Sequence, residues 1–254
     1  MLIIKLDLLI TILLCLPLSS LLICFLISVL FYFDIVNRTD CRAINILPSI
    51  SAITGHRPQI YIWRFGIALH AVPRFLIAYT YRQFYLDKST KLFLGIINHS
   101  NWLFHLINFN MWVNILEIFS LLALTVVSSV ENFYIHSLFF VGFAITSILH
   151  MVISLYISRV FYINQDLSEM KSYHQKCFCL AVTILCSLGM AFFFTKHRLY
   201  CTPYDYSKFS LLEYIFVLIN MGFHYIATFD IGSTYLSTSR QASLMSNGIG
   251  KKEI

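Results

Sequence analysis

YIWRFGIALHAVPRFLIAYTY, residues 61–81, is an apolar stretch that carries Arg64, His70 and Arg74 in its interior. As a helix rising ~1.5 Å per residue, it is long enough to cross about 30 Å of hydrocarbon. An ionisable group that faces lipid costs on the order of 3 kcal/mol, so such groups normally face the interior of a helical bundle. The stretch therefore predicts a membrane helix with a functional polar face.

Five further apolar stretches lie on either side of this one, and together they define the fold class. The chain is 58% hydrophobic and 12% charged, whereas a soluble domain has about 25% charged residues. We predict an all-α, polytopic membrane bundle of about six transmembrane helices, forming a single integral membrane domain over residues 1–254. The expected spans are approximately 8–33, 61–81, 103–127, 136–161, 177–195 and 211–235.

Basic residues indicate the orientation of the bundle. The formal net charge is +6, but the lysines and arginines are spread over loops and helix ends, so we expect no nucleic-acid partner. A modest excess of basic residues on one side predicts that both termini are cytosolic. Residues 34–60 then form a luminal loop or lid, in which prolines and a glycine argue against a long regular helix.

Two of the seven cysteines lie in expected extramembrane loops, on the same non-cytosolic side. In the oxidising secretory lumen, Cys41 and Cys201 could form a disulfide that ties the first luminal loop to the last. The alternative is two free thiols that lie too far apart to bond.

Polar residues recur at helical spacing inside four of the six stretches. In the second stretch, a period of 3.6 residues brings Trp63, Ile67, His70 and Arg74 to one face. Further stripes occur in the third, fourth and sixth stretches: Asn110, Asn114 and Glu117; His136, Ser147 and His150; and Glu213, Asn220 and His224. We expect these stripes to face each other, with Arg74 or Arg64 as the partner of Glu117. The alternative is a purely structural role, in which these side chains hold the helices together through hydrogen bonds; it applies most of all to Asn110, Ser147 and Asn220.

The chain lacks the motifs of soluble enzymes, including a phosphate-binding glycine loop, a G-x-S-x-G elbow and an H-E-x-x-H pair. Cys177-x-Cys179 has the wrong spacing for zinc. We predict no cofactor and no metal; the alternative is that the His, Glu and Asp residues of the apolar stretches bind a metal ion. A histidine beside a carboxylate is the usual means of activating a hydroxyl at neutral pH, and the polar stripes contain both residue types.

Several separated motifs occur in order along the chain: LPSxS at 47–51, PQxYxWRFxIxLHxxPRF at 58–75, NxxE at 114–117, LTxxSSxExFxIH at 124–136, HM at 150–151, KSY at 171–173, YC at 200–201, LEY at 212–214, NMxFH at 220–224 and DxG at 230–232. In these motifs the chain resembles the post-GPI attachment to proteins factor 2 family, over nearly its whole length after the first helix. The resemblance implies about six helices and a role in GPI-anchor lipid remodelling, at the step that returns a saturated fatty acid to the sn-2 position of lyso-GPI. The family also has cysteines at positions matching Cys41 and Cys201, which favours the disulfide.

Under the enzyme hypothesis that follows from this resemblance, the protein is an acyltransferase that acts on lyso-GPI-anchored proteins with an unknown acyl donor. His70 or His224 would be the general base, oriented by Glu117 or Glu213. The candidate residues for substrate binding are Arg64, Arg74, Trp63, Asn114, His136 and His150. Two other hypotheses remain: a lipid-presenting subunit for a partner acyltransferase, and a polytopic transporter.

The resemblance also implies a Golgi or endoplasmic reticulum membrane location. The chain departs from the family pattern at its C-terminus, Lys251-Lys252-Glu253-Ile254. This ending fits a cytosolic dilysine signal for retrieval to the endoplasmic reticulum. An odd number of spans would place the tail in the lumen and void the signal.

Overall fold

Six long helices make up the protein, as seen in a computed structural model that describes residues 3–92, 100–161, 167–231 and 235–237. All six are long and apolar enough to cross a membrane, which confirms the predicted fold class. They are α1 (Leu6–Phe31), α4 (Gln59–Leu92), α5 (Ser100–Val126), α6 (Phe133–Phe161), α7 (Leu167–Tyr200) and α8 (Asp205–Ile231), with two short helices, α2 (Phe33–Val36) and α3 (Ile50–Gly55), between α1 and α4. Strands β1 (Ile3–Lys5) and β2 (Tyr235–Ser237) pair antiparallel, with Ile4 opposite Leu236.

The six long helices form a closed ring in which each helix packs against the next one along the chain, and α8 packs against α1. Short connections between antiparallel membrane helices favour this order. The short helix α3 packs against α1, α4 and α8, and we call this end of the bundle the α3 end. Because β1 precedes α1 and β2 follows α8, the strand pair lies at the opposite end.

Helices α4 and α7 continue beyond the apolar stretches that predicted them. Each has 34 residues, which corresponds to roughly 50 Å at ~1.5 Å per residue and exceeds a hydrocarbon core of about 30 Å. The expected spans 61–81 and 177–195 cover only the apolar part of each helix. The additional turns carry polar residues such as Arg82 and Lys171, whose charges do not interrupt the helical backbone.

The segment 34–60 covers the α3 end of the bundle. Before α4 begins at Gln59 it contains no long helix, as its composition predicts, and the six-residue α3 buries Ile50 and Ile53 in a cluster with Leu21, Trp63 and Ile67. The remainder of the segment is held to the start of α8: the backbone N–H of Tyr204 donates to the carbonyl of Ile44 at 2.8 Å, and that of Ile46 donates to Ser207 Oγ at 2.9 Å. Residues 34–60 are thus packed on the bundle and shape the site beneath them.

A glycine allows α1 and α4 to approach closely. A Cβ atom placed on Gly66 would lie 2.0 Å from the Oγ of Ser20, well inside van der Waals contact. The absence of a side chain at Gly66 therefore lets α1 and α4 pack tightly at this point.

Candidate functional site

Three polar clusters lie along the inside of the ring, and the central one is built around Glu117. Its side chain is fully buried, with 0% exposure. One carboxylate oxygen, Oε1, lies 3.4 Å from Arg74 Nη2 and accepts from Asn220 Nδ2 at 3.1 Å. The other oxygen, Oε2, lies 3.1 Å from His150 Nδ1. The expectation that the polar stripes meet is therefore correct, and the cationic partner of Glu117 is Arg74.

His224 shares both members of this ion pair. Its Nε2 atom lies 2.9 Å from Glu117 Oε1 and 2.6 Å from Arg74 Nη2. A guanidinium can only donate and a carboxylate can only accept, so one ring nitrogen cannot bond to both at once. The cluster is completed by Asn114, whose Oδ1 lies 3.5 Å from Arg74, and by Ser147, which accepts from Asn220 at 3.2 Å.

The same cluster has the donor set of a metal site. Ligand atoms of Glu117, His150 and His224 all lie within 4.8 Å of one another, a spacing that a divalent cation could use. The guanidinium of Arg74 already supplies a positive charge between Glu117 and His224. The arrangement therefore fits a buried ion pair better than a bound metal ion.

Two residues that sequence analysis placed in the site have other partners. Arg64 forms an ion pair with Glu131 and donates from Nε to the carbonyl of Thr125 at 3.3 Å, so it ties α4 to the α5–α6 loop and does not contact Glu117. The backbone N–H of Ser128 also donates to Glu131 at 3.0 Å, and this bond, with the charge of Arg64, holds the pKa of Glu131 below its ordinary value. His70 has its Nδ1 2.7 Å from the carbonyl of Leu13, in place of the expected carboxylate.

A second cluster at the α3 end joins Ser51, His136 and Glu213. The Oγ of Ser51 lies 2.9 Å from Nε2 of His136 and 3.3 Å from Oε1 of Glu213. On its other side, His136 has Nδ1 2.9 Å from the carbonyl of Leu124 and 2.8 Å from that of Val127. The Oε2 atom of Glu213 accepts from the backbone N–H of Ile50 at 2.8 Å. This cluster pairs a hydroxyl with an imidazole whose orientation is fixed by the backbone.

The second cluster opens into a cavity of about 510 Å³, which we call the α3 groove. Its polar end contains Ser51, His136 and Glu213, together with the charged Arg38, Asp40 and Arg198. Its wall is apolar and is formed mainly by α6 and α7, including Phe140, Ala144, Ile145, Ile148, Met190, Ala191 and Phe194. From His136 to Ile148 the wall follows α6 for roughly 18 Å, at ~1.5 Å per residue. A polar head beside an elongated apolar wall suits an amphiphile with one acyl chain.

Smaller cavities separate the clusters along the axis of the ring. One of about 60 Å³ is lined by Ser51, His136 and Glu213 on one side and by Arg74 and His224 on the other, and the buried Trp63 also lines it. Another of about 40 Å³ lies between the Glu117 cluster and Lys176. Both are large enough for ordered water, since one water molecule needs about 10–15 Å³ of such volume.

The third cluster lies towards the strand-pair end and contains an ion pair that sequence analysis did not identify. Lys176 Nζ lies 2.6 Å from Asp230 Oδ2 and 3.2 Å from Ser158 Oγ, and Ser172 donates to Asp230 Oδ1 at 2.8 Å. The hydroxyl of Tyr81 bonds to Asp230 as well. Lys176 was missed because it lies just outside the apolar stretch 177–195, although α7 extends through it.

A disulfide at the α3 end joins the loop after α1 to the loop before α8. Cys41 and Cys201, separated by 160 residues, are joined by a disulfide with their Cα atoms 6.0 Å apart. Five cysteines are free: Cys15, Cys24, Cys177, Cys179 and Cys186. The disulfide holds the segment containing Asp40 beside the end of α7, where Arg198 Nη1 lies 2.6 Å from Asp40 Oδ2.

Comparison with known proteins gives the family. The chain is 37% identical over 227 residues to "Post-GPI attachment to proteins factor 2" of Caenorhabditis elegans, covering 88% of this chain and 85% of the relative. It is 38% identical over 223 residues to "Acyltransferase PGAP2" of Xenopus tropicalis, covering 87% and 85%. The chain belongs to the post-GPI attachment to proteins factor 2 (PGAP2) family.

Two further comparisons agree with this membership. The family model for the Frag1/DRAM/Sfk1/Cwh43P N-terminal domain matches residues 6–234 of this PGAP2 family member. "Post-GPI attachment to proteins factor 2-like" of Drosophila melanogaster is 37% identical over 223 residues, covering 87% of this chain and 68% of the relative. No solved structure matches the chain. The resemblance found in the motifs is thus confirmed, and the chain is a multi-pass membrane protein of the PGAP2 family.

Proposed function

We propose that this PGAP2 family member transfers a saturated acyl chain to the free sn-2 hydroxyl of lyso-GPI, and so completes GPI-anchor lipid remodelling. Relatives from Xenopus tropicalis and Danio rerio carry the name "Acyltransferase PGAP2". The observation that carries the proposal is the α3 groove, in which a hydroxyl–imidazole pair lies at the polar end of a long apolar wall. An acyltransferase for a membrane lipid needs this combination of a base and an acyl-chain site.

His136 is the general base in this proposal. Both neighbours of Nδ1 are backbone carbonyls, which can only accept hydrogen bonds, so Nδ1 carries a proton and Nε2 of the neutral ring has the lone pair. That lone pair faces the groove beside Ser51. A glycerol hydroxyl of lyso-GPI placed next to Nε2 would lose its proton as it attacks an acyl carbonyl.

The charged end of the groove would hold the phosphate of the lipid. Arg38 and Arg198 both line this end. Arg198 pairs with Asp40, but the two side chains are 49% and 85% exposed, and such exposed pairs contribute only about 0–1 kcal/mol. Arg198 can therefore exchange Asp40 for a phosphate at little cost, whereas Arg74 is buried against Glu117 and Arg64 is held by Glu131.

The Glu117 cluster has a supporting role in this proposal. It joins α4, α5, α6 and α8 through Arg74, Glu117, His150 and Asn220. Of these helices, α6 and α8 carry residues that line the groove, including His136 and Glu213, so the cluster helps to fix the position of one relative to the other. The catalytic roles that sequence analysis gave to His70, His224 and Glu117 remain predictions.

We place the α3 end in the lumen of the endoplasmic reticulum or Golgi. A disulfide at that end supports this orientation, because disulfides persist in oxidising compartments. The lipid of a GPI-anchored protein lies in the luminal leaflet, on the same side as the groove. The proposed retrieval signal Lys251-Lys252-Glu253-Ile254 lies outside the described residues.

Acyl transfer by the purified protein in liposomes tests the proposal. The liposomes would contain a lyso-GPI-anchored protein, with labelled stearoyl-CoA or phosphatidylcholine carrying a labelled stearoyl chain as donors. We expect stearate on the sn-2 position with wild type, and a loss of about 10²–10⁴-fold in rate with His136→Gln. The matched control is His105→Gln, since His105 is an exposed histidine on α5, and this variant should retain the wild-type rate.

The accessory hypothesis predicts a different result in the same liposomes. A lipid-presenting subunit would retain lyso-GPI without turnover, and the addition of membrane extract would restore transfer through a partner acyltransferase. This result would contradict the proposed enzymatic activity and leave the lipid-binding groove in place.

A further inference from the structure

Ser51 is the group in the α3 groove that the proposed activity does not yet use. It lies in the first turn of α3, is half-buried, and lines both the groove and the 60 Å³ cavity behind it. Its backbone is held from two sides: Glu213 accepts from the N–H of the preceding Ile50 at 2.8 Å, and Ser129 Oγ donates to the carbonyl of Ser51 at 3.2 Å. The hydroxyl is therefore kept in one place at the polar end of the groove.

The hydrogen-bond pattern assigns the direction of the Ser51–His136 bond. Because Nδ1 of His136 donates to carbonyls, its Nε2 can only accept while the ring is neutral. Ser51 has a single hydroxyl proton and two acceptors within reach, Nε2 at 2.9 Å and Oε1 of Glu213 at 3.3 Å, and the shorter distance favours donation to Nε2. A serine hydroxyl that donates to an imidazole held from behind by a third group is the general arrangement of an activated nucleophile. Here the backbone carbonyls of Leu124 and Val127 take the place of the usual carboxylate.

We propose that Ser51 is a catalytic nucleophile that carries the acyl chain as an ester between donor and acceptor. This inference rests on the proposed acyl transfer and specifies its mechanism. The hydroxyl beside a backbone-held imidazole carries the inference, because its place at the polar end of the groove would let a bound acyl chain lie along the apolar wall.

In the first half-reaction, Ser51 Oγ attacks the acyl carbonyl of a thioester or of a phospholipid ester. Its proton passes to His136 Nε2, the bond from the carbonyl carbon to the leaving sulfur or oxygen breaks, and the proton then passes to the leaving group. In the second, His136 takes the proton of the lyso-GPI hydroxyl, whose oxygen attacks the Ser51 ester. The bond to Ser51 Oγ breaks and the proton returns to it. No oxidant or further reactant is needed.

Glu213 acts in this scheme as a positioning residue. Its Oε2 holds the N–H of Ile50, and its Oε1 lies 3.3 Å from Ser51 Oγ. Glu213→Gln should therefore lower the rate of ester formation and leave donor binding unchanged.

The experiment is acyl labelling of the purified full chain in liposomes with stearoyl-CoA or with labelled phosphatidylcholine, in the absence of lyso-GPI. Trypsin cleaves after Arg42 and Arg64 but not after Arg57, which precedes Pro58, and so gives a peptide of residues 43–64 that contains Ser51. We expect a stearoyl ester on this peptide. When lyso-GPI is added, the ester should disappear from the peptide and the stearoyl chain should appear on lyso-GPI. Ser51→Ala should lose both the label and the transfer, and Ser19→Ala, at an exposed serine of α1 outside the groove, should keep both.

Ser51→Cys separates a nucleophile from a structural hydroxyl. It should form a thioester, which hydroxylamine cleaves at neutral pH where the serine ester survives. A structural role for Ser51 would not produce this change in the chemistry of the label.

Two results would overturn the inference in distinguishable ways. If wild type and Ser51→Ala both transfer stearate to lyso-GPI and no label is found on residues 43–64, then transfer is direct and the proposed function stands without the intermediate. If folded wild type, verified by lyso-GPI retention, gives neither transfer nor label with either donor, the proposed function fails and the intermediate with it.

Discussion

Replacement of Glu117 by glutamine should destabilise the bundle far more than the same replacement at an exposed site. The substitution removes a negative charge from a position with 0% exposure. It leaves the guanidinium of Arg74 buried without an anion. It also turns one carboxylate oxygen into an NH2 group. Depending on which oxygen is replaced, that group faces either the donors of Asn220 and Arg74 or the ring nitrogen of His150. A like-for-like change in shape thus becomes a large change in electrostatics.

The expected cost follows from burial. Loss of one partner from a buried ion pair costs about 3–5 kcal/mol, because the remaining charge stays desolvated. Glu131→Gln is the matched control, since Glu131 also pairs with an arginine of α4, yet its side chain is 49% exposed and that of Arg64 is 31% exposed. After allowance for solvent screening, an exposed pair of this kind contributes about 0–1 kcal/mol.

Unfolding by SDS in mixed micelles, followed by tryptophan fluorescence, measures the difference. The double variant Arg74→Met with Glu117→Leu should cost less than the sum of the two single changes, by about 0.5–3 kcal/mol, because neither charge is then left alone. The reasoning is refuted if Glu117→Gln and Glu131→Gln lower the free energy of unfolding by equal amounts. It is also refuted if the double change is strictly additive.

Three other predictions concern the disulfide, the helix contacts and the pH dependence. Thiol labelling of the denatured chain with a maleimide should give five adducts without reductant and seven after reduction, and change of Cys41 to serine should expose the thiol of Cys201. Gly66→Ala should destabilise by about 1–3 kcal/mol through overpacking, whereas Gly222→Ala, where an added Cβ meets nothing within 4 Å, should stabilise by about 0.5–1 kcal/mol in SDS unfolding. Because the pKa of Glu131 is lowered in the folded protein, its ionised form stabilises the fold. This stabilisation is complete above the ordinary glutamate pKa of about 4.3 and is lost as the pH falls below that value. The free energies of unfolding of wild type and Glu131→Gln should therefore converge in acid.

The sequence was sufficient to predict the helices and the convergence of their polar faces. Hydrocarbon imposes a strong constraint on length and composition, so the stretches that contain Trp63, Glu117 and His150 could be identified from hydropathy alone. The cost of exposing polar groups to lipid then placed Arg74, Glu117 and His224 inside the ring. These predictions rest on a solvent effect that acts on each helix separately.

Individual partners could not be predicted, because they depend on how neighbouring helices are rotated and shifted. From their spacing, Arg64 and Arg74 were equally suitable partners for Glu117. The two lie ten residues apart on α4, and in the fold Arg74 pairs with Glu117 while Arg64 pairs with Glu131. Ser51 gave no signal beyond its place in the LPSxS motif, since serine is common in loops. The role that we propose for Ser51 depends on the fold, which brings α3 against His136.

The chain-length profile of acyl transfer tests most directly whether the α3 groove holds the acyl chain. Ala191 is exposed and lines the apolar wall, and Ala68 is an equally exposed alanine on α4 outside the residues that line the groove. Transfer to lyso-GPI would be compared between stearoyl and lauroyl donors for wild type, Ala191→Trp and Ala68→Trp. We expect Ala191→Trp to lose stearoyl transfer while it retains lauroyl transfer, and Ala68→Trp to match wild type. The same profile for all three proteins would contradict the account.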